Sequence, residues 1–350
     1  MSEYTHHIAL LGAGTIGLSM LALHLRRPDT KVTVFDPRPD YEVLLRAQLP
    51  AFLDSTLSPS SPNAIDALIA SRRLTLAHSI QDAVQSTTII QEQTPEKPDS
   101  KQALWKEVAR FANPEAHLWS SSSGISASRQ AEGCENHVAE RLVVAHPFNP
   151  PHLMPLVEIV PGLQTKTERV EFVKRYFETV PGPSHLPGSR GSRGSREENF
   201  QHYRPVILHK EVPGFVGNRL AFALLREACY LVGEGVVSAQ DLDSIVMASL
   251  GPRWAGSGVF ESYHAGGGEG GIGAFLEKLA PTMKDVWGQL GQVDIHTEGE
   301  GRDNEKEQWR DVVVRQTEEA YGPSTSEETR LRKEVMLRGV IEMQKQCWSV

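Results

Sequence analysis

The 350-residue sequence predicts an α/β protein, with a doubly wound, mainly parallel sheet followed by an all-helical domain. Three observations carry that expectation. A short apolar run ends in a glycine-rich turn that opens a helical stretch. Further β-type runs then alternate with helical segments as far as about residue 210. Beyond Glu211, apolar residues recur at helical spacing. Alternating strands and helices are the pattern of a parallel sheet covered on both faces.

The first element is the run Ile8-Ala9-Leu10-Leu11, a short buried strand that ends at Gly12. A helical stretch to about Leu25 follows, and Lys31 to Asp36 reads as a second strand. Between strand and helix lies Gly12-Ala13-Gly14-Thr15-Ile16-Gly17, which fits G-x-G-x-x-G in the context that gives the pattern its meaning. The first glycine permits a tight turn, the second lets a pyrophosphate approach the backbone, and the third lets helix and strand pack closely. The helix N-terminus offers amides and partial positive charge to the phosphates. Asp36 ends the second strand 19 residues beyond Gly17, where a carboxylate can bond the adenosine ribose. This is a Rossmann-type dinucleotide unit. Asp36 favours NAD over NADP, with Arg38 as a counter-signal.

Residues 40–72 read as helical with a Ser/Pro-rich break at 58–62, and strands are expected at 87–92, 116–120, 141–146, 156–160 and 205–210. The segment from about 182 to 203 repeats Gly-Ser-Arg at 188, 191 and 194 and reads as a flexible surface loop. The Rossmann domain is therefore placed at 1–211. Val216, Leu220, Leu224 and Leu231 open a helical domain at 212–350, expected to contribute to the substrate site and a homodimer contact.

Composition narrows the function. Hydrophobic residues make up 39 % and charged residues 23 %, a globular balance. The net charge of −8 provides no basic field for nucleic acid or an anionic membrane. Apolar runs fall short of the ~20 residues a membrane-spanning helix needs. Cys134, Cys229 and Cys347 form neither a metal nor a disulfide pattern. With no targeting segment recognisable, the expected compartment is the cytoplasm, the expected partner is a small-molecule substrate, and no metal is expected.

The chemistry is concentrated in two strands. Arg141 to Ala145 lead into His146-Pro147-Phe148-Asn149-Pro150-Pro151, placing a histidine at the carboxyl end of a strand, where such sheets bind ligands. Twelve residues on, Glu158 interrupts the apolar run Leu156 to Val160. A buried carboxylate is costly unless paired, and His146 is a plausible partner. Singly, His146 reads as a turn histidine and Glu158 as an edge residue; together they read as a general base and the anion that favours its protonated form. Ser120 to Ser123 follow another strand, as a loop or helix cap. Asn218 lies two residues past Val216, so on a helix it points away from the apolar face.

These segments closely resemble the 3-hydroxyacyl-CoA dehydrogenase family, nearest to its lambda-crystallin (L-gulonate 3-dehydrogenase) and L-carnitine dehydrogenase branch. The resemblance rests on Val144-Ala145-His146-Pro147-Phe148-Asn149-Pro150-Pro151, Pro155-Leu156-Val157-Glu158-Ile159-Val160-Pro161 and Lys210 to Leu220, and it covers nearly the whole chain. It implies that His146 is the base, Glu158 its partner, and Ser123 and Asn218 the groups that bond the reacting oxygen. It also places Glu96 and Lys101 on the nicotinamide side of NAD. Gly124 stands where relatives carry a second serine or cysteine, and the Gly-Ser-Arg repeats are unlike them. The implied reaction is hydride transfer from the 3-hydroxyl carbon of a short 3-hydroxy acid to NAD. Alternatives are the same reaction on the CoA thioester, or a crystallin-like NAD(H)-binding structural or sensor protein. Leu250-Gly251-Pro252-Arg253-Trp254 resembles a segment of the carnitine and gulonate dehydrogenases, so Arg253 is expected to meet a free carboxylate, the alternative being a surface arginine beside a core tryptophan.

Overall fold

The computed structural model describes residues 4–53, 63–182, 203–293, 295 and 309–348, and the chain divides into two compact units between Asn218 and Arg219. The Ser/Pro-rich break and the Gly-Ser-Arg repeats lie outside the described residues.

The first unit is built on one eight-stranded sheet, ordered β3-β2-β1-β4-β5-β6-β7-β8. Its strands are β1 (His6–Leu11), β2 (Thr30–Phe35), β3 (Leu74–Leu76), β4 (Ile89–Glu92), β5 (His117–Ser120), β6 (Leu142–Pro147), β7 (Leu156–Pro161) and β8 (Arg204–Ile207). All neighbours run parallel except β6 and β7. The order reverses between β1 and β4, which is where doubly wound sheets open a ligand crevice. Residues 148–155 are too short a link for a crossover helix, so β7 returns antiparallel to β6.

Consecutive strand residues point to opposite faces, and both faces are buried. Leu10, Val34, Trp119 and Val143 enter one core with Leu21 and Phe177. Leu11, Leu118 and Val144 enter the other with Trp105 and Phe215. This two-sided burial explains why the strands read as unbroken apolar runs rather than alternations.

The helices of this unit are α1 (Thr15–Leu25), α2 (Tyr41–Gln48), α3 (Ala64–Ala70), α4 (Ile80–Val84), α5 (Pro98–Phe111), α6 (Ala127–Gln130), α7 (Asn136–Ala139) and α8 (Thr167–Thr179). Helix α1 is buried along nearly its whole length and packs by its third glycine. The expected strands are present with shifted ends. The helical reading of 40–72 holds for α2 and α3, while the three-residue strand β3 just beyond it was not anticipated.

The second unit is helical. Helix α9 (Gly217–Gly233) carries the chain into it, followed by α10 (Ala239–Ile245), a π-turn at Val246–Leu250, α11 (Gly251–Gly256), α12 (Val259–Gly266), α13 (Gly271–Gln289), α14 (Trp309–Tyr321) and α15 (Glu327–Trp348). Leu220, Phe222 and Leu225 on α9 are exposed. No helix among the described residues is long and apolar enough to cross a membrane.

Two glycines of the first turn make opposite predictions. A Cβ at Gly17 would lie 2.0 Å from the Gly12 carbonyl oxygen, whereas one at Gly14 would meet nothing within 4 Å. Gly17→Ala should therefore lower unfolding stability by about 1–3 kcal/mol. Gly14→Ala should leave it near wild type, and urea denaturation of both variants checks the contrast.

Candidate active site

At the crevice, Gly12 adopts φ 104°, a conformation that only glycine takes readily. A Cβ there would also sit 2.9 Å from the Gln93 carbonyl oxygen, so backbone of β1 and β4 meets closely at the switch point. Leu18 is the first amide of α1 to find a helical carbonyl, that of Gly14 at 2.9 Å. The amides of Thr15 and Ile16 precede it in the first turn and take no partner among the described residues, as helix-terminal donors do. The open space at Gly14 leaves room for a pyrophosphate to reach them.

Asp36 stands one residue beyond β2 with its carboxylate 2.7 Å from the Ala13 amide. Arg38 closes on the same group through its own amide at 3.0 Å, Nε at 2.7 Å and a terminal nitrogen at 2.9 Å. Burial opposes ionisation of Asp36, yet the Arg38 guanidinium and the two amides hold its carboxyl below the usual range. All four carboxylate lone-pair sites are engaged, so a ribose diol would take the place of Arg38. That side chain is 44 % exposed and can leave at little cost.

Farther along the crevice, Ser120 ends β5, and the turn from it to Ser123 is held by two carboxylates. Glu92, fully buried at the end of β4, accepts from Lys101 Nζ at 2.8 and 2.9 Å, from the Thr94 amide and hydroxyl, and from the Ser120 hydroxyl. Glu96 accepts from the Ser122 hydroxyl at 2.8 Å and from the Ser123 amide at 2.5 Å. Ser122 is buried and accepts from the Ile125 amide, so its hydroxyl is committed. Ser123 is exposed, and its hydroxyl takes no partner among the described residues. The expected cofactor contacts Glu96 and Lys101 thus meet protein groups, and Lys101 is itself buried.

His146 and Glu158 are directly opposed in the antiparallel β6–β7 pair. Nδ1 of His146 lies 2.8 Å from Oε2 of Glu158, and both side chains are at most 4 % exposed. The other carboxylate oxygen accepts from the amides of Val216 at 3.0 Å and Gly217 at 2.9 Å, at the start of α9. Burial works against the charge on Glu158, but the imidazole and these two amides hold its carboxyl below the ordinary range. A carboxylate only accepts, so Nδ1 carries a hydrogen, which in a neutral imidazole leaves the lone pair on Nε2. Phe148 and Phe215 pack beside the imidazole with ring centroids at 4.8 and 5.4 Å.

Asn218, half-buried, donates from Nδ2 to the Ser123 carbonyl at 2.9 Å, so two residues distant in sequence meet as expected of a shared site. Arg253 lies in the helical unit on α11. It is exposed, and its guanidinium takes no partner among the described residues. Trp254 beside it is 43 % exposed, so it is not the core residue of the simpler alternative. Sequence reasoning missed Glu92 and the two amides on Glu158. The one signal for Glu92 was an acidic residue closing an apolar strand.

Among the described residues no group of three His, Cys, Asp or Glu side chains is placed to hold a metal. The glycine turn, the acidic residue after β2 and the switch-point crevice define an NAD-binding oxidoreductase of the Rossmann type. The chain belongs to the 3-hydroxyacyl-CoA dehydrogenase family: the family's NAD binding domain matches residues 7–183 and its C-terminal domain residues 214–292. An L-carnitine dehydrogenase of Oceanobacillus iheyensis is 32 % identical over 83 % of this chain and 86 % of its own. A 3-hydroxyacyl-CoA dehydrogenase of Gibberella moniliformis is 33 % identical over 81 % of this chain and 80 % of its own. In fold, the chain resembles the crystal structure of an NAD+ dependent dismutase, 5-formyl-3-hydroxy-2-methylpyridine 4-carboxylic acid 5-dehydrogenase. There the TM-score is 0.70, with 22 % identity and 97 % of each chain covered.

Two predictions follow from the charges. NADH should bind more tightly than NADPH if the Asp36 carboxylate meets the adenosine ribose, where it would repel a 2′-phosphate, and Asp36→Ala should narrow the difference in fluorescence titrations. Glu158 has a depressed folded-state pKa, so its stabilising contribution is present above the unfolded carboxylate range and is lost as pH falls through the folded value. Glu158→Gln should therefore show a shallower loss of stability on acidification, measured as urea midpoints from neutral pH to pH ~3.

Proposed function

We propose that the protein oxidises the 3-hydroxyl of a short 3-hydroxy acid to the 3-oxo compound, with His146 as general base. The observation that carries this reading is the buried His146–Glu158 pair, in which one carboxylate oxygen fixes the imidazole and the other is held by two helix-terminal amides. Bound NAD would supply the hydride acceptor. His146 Nε2 takes the hydroxyl proton, and Glu158 stabilises the imidazolium so formed. The Ser123 hydroxyl and the second N–H of the Asn218 amide hold the oxygen as it becomes a carbonyl. The NAD contacts in this reading are Gly12, Gly14, Thr15, Ile16, Gly17 and Asp36, with Glu96 on the nicotinamide side.

Arg253 is the proposed substrate residue, its guanidinium fork, without a partner among the described residues, suited to a carboxylate that a thioester lacks. Relatives named as L-carnitine dehydrogenases support a free acid. The relative named 3-hydroxyacyl-CoA dehydrogenase supports the CoA thioester as the second reading. The exposed apolar residues Leu220, Phe222 and Leu225 support a homodimer contact through the helical unit.

NADH formation followed by absorbance with L-gulonate, carnitine, 3-hydroxybutyrate and a 3-hydroxyacyl-CoA tests the proposal. His146→Ala should lower kcat by roughly 10²–10⁴-fold with NADH affinity unchanged. Glu158→Gln should lower the rate and move the acid limb of the kcat/KM profile to lower pH. Arg253→Leu should raise KM for the acid alone. A higher kcat/KM for the thioester, indifferent to Arg253→Leu, would establish the second reading instead.

A further inference from the structure

Lys101 is 1 % exposed on α5, and its ammonium has three hydrogens. Three acceptors surround it: the two oxygens of Glu92 at 2.8 and 2.9 Å and the Thr94 carbonyl at 3.1 Å. No donor is left over for a ligand. Glu92 in turn binds the Thr94 amide at 2.8 Å, the Thr94 hydroxyl at 2.6 Å and the Ser120 hydroxyl. Lys101 therefore pins the turn Thr94-Pro95-Glu96 at both its carbonyl and, through Glu92, its amide. The last residue of that turn, Glu96, holds the Ser123 amide and the Ser122 hydroxyl. The Ser122 amide donates to the Ser120 hydroxyl at 3.1 Å, so two carboxylates grip the serine turn at Ser120, Ser122 and Ser123.

We infer that Lys101 is a positioning residue rather than a cofactor contact: it neutralises Glu92 and locks the Thr94–Glu96 turn that sets Ser123. The inference takes the role of Ser123 from the proposed reaction, but the placement of Lys101 stands apart from it. Removing the ammonium alone strands a buried carboxylate, whereas removing both charges leaves a neutral amide whose oxygen still accepts from Thr94 while its NH2 donates to the Ser120 hydroxyl oxygen.

The test is a double-variant cycle of the full chain, comparing wild type, Lys101→Met, Glu92→Gln and the double variant. NADH Kd, Tm and kcat on the best substrate of the panel are measured. Lys101→Met should lower Tm by roughly 10 °C, and Glu92→Gln in the same chain should restore most of it. The kcat should fall about tenfold in Lys101→Met and recover in the double variant, as expected for misplacement rather than loss of a reacting group. Kd should agree within about twofold between Glu92→Gln and the double variant. A Kd that rises about tenfold on Lys101→Met in both backgrounds would overturn the inference and make Lys101 a direct cofactor contact. Thr94→Val keeps the ion pair and removes one hydroxyl from the clamp. It should lower kcat with Kd unchanged, and an unaltered kcat there counts against the inference even if Lys101→Met fails to fold. A wild type silent on every substrate would sink the reaction, while Kd and Tm across the cycle still decide the place of Lys101.

Discussion

The carboxylate of Glu158 is the constraint around which the candidate site is arranged. It sits within a strand of a sheet buried on both faces, where an ionised group survives only if its lone pairs are met. One oxygen is met by a side chain on the neighbouring strand and the other by backbone amides from a segment nearly sixty residues away. Satisfying it shapes the approach to α9. Gly214 and Phe215 both take positive φ, 73° and 53°, which turns the following amides toward the anion. Phe215 bears the strain of that conformation while fully buried against the imidazole. Gly217 has no Cβ because Phe148 occupies the space 2.2 Å from where it would stand.

Asp36, Glu92 and Glu158 form a series of buried carboxylates, the first two at the carboxyl ends of their strands and the third within β7, and each has a different cationic or imidazole partner. Arg38 covers Asp36 from solvent and is exchangeable. Lys101 is enclosed with Glu92 and is fixed. His146 meets Glu158 through an imidazole nitrogen. The same desolvation cost is thus offset by a half-exposed guanidinium, an enclosed ammonium and an imidazole.

Much of this was legible in the sequence because it is local. The glycine turn and Asp36 lie in one βαβ unit, and a histidine closing an apolar strand is visible as a break in pattern. The helical character beyond Glu211 shows in the spacing of Val216, Leu220 and Leu224. Strand β3 was hidden because three residues are too few to show a period. The opposition of His146 and Glu158 depends on antiparallel pairing, which follows from the short link and not from either strand alone. The amides of Val216 and Gly217 carry no side-chain signature. Glu92 was passed over because it has no chemistry of its own until Lys101 is folded against it.

The register of β6 and β7 also bears on how the gene can change length. Because His146 and Glu158 face each other from paired strands, residues 148–155 can gain or lose length without separating them, provided the pairing holds. An insertion or deletion of one codon inside β7 is another matter. Side chains alternate faces, so such a frame-preserving change would turn Glu158 to the far side of the sheet and bring an aliphatic neighbour opposite the histidine. The reading of the hairpin by parity makes its strands intolerant of single-residue length change.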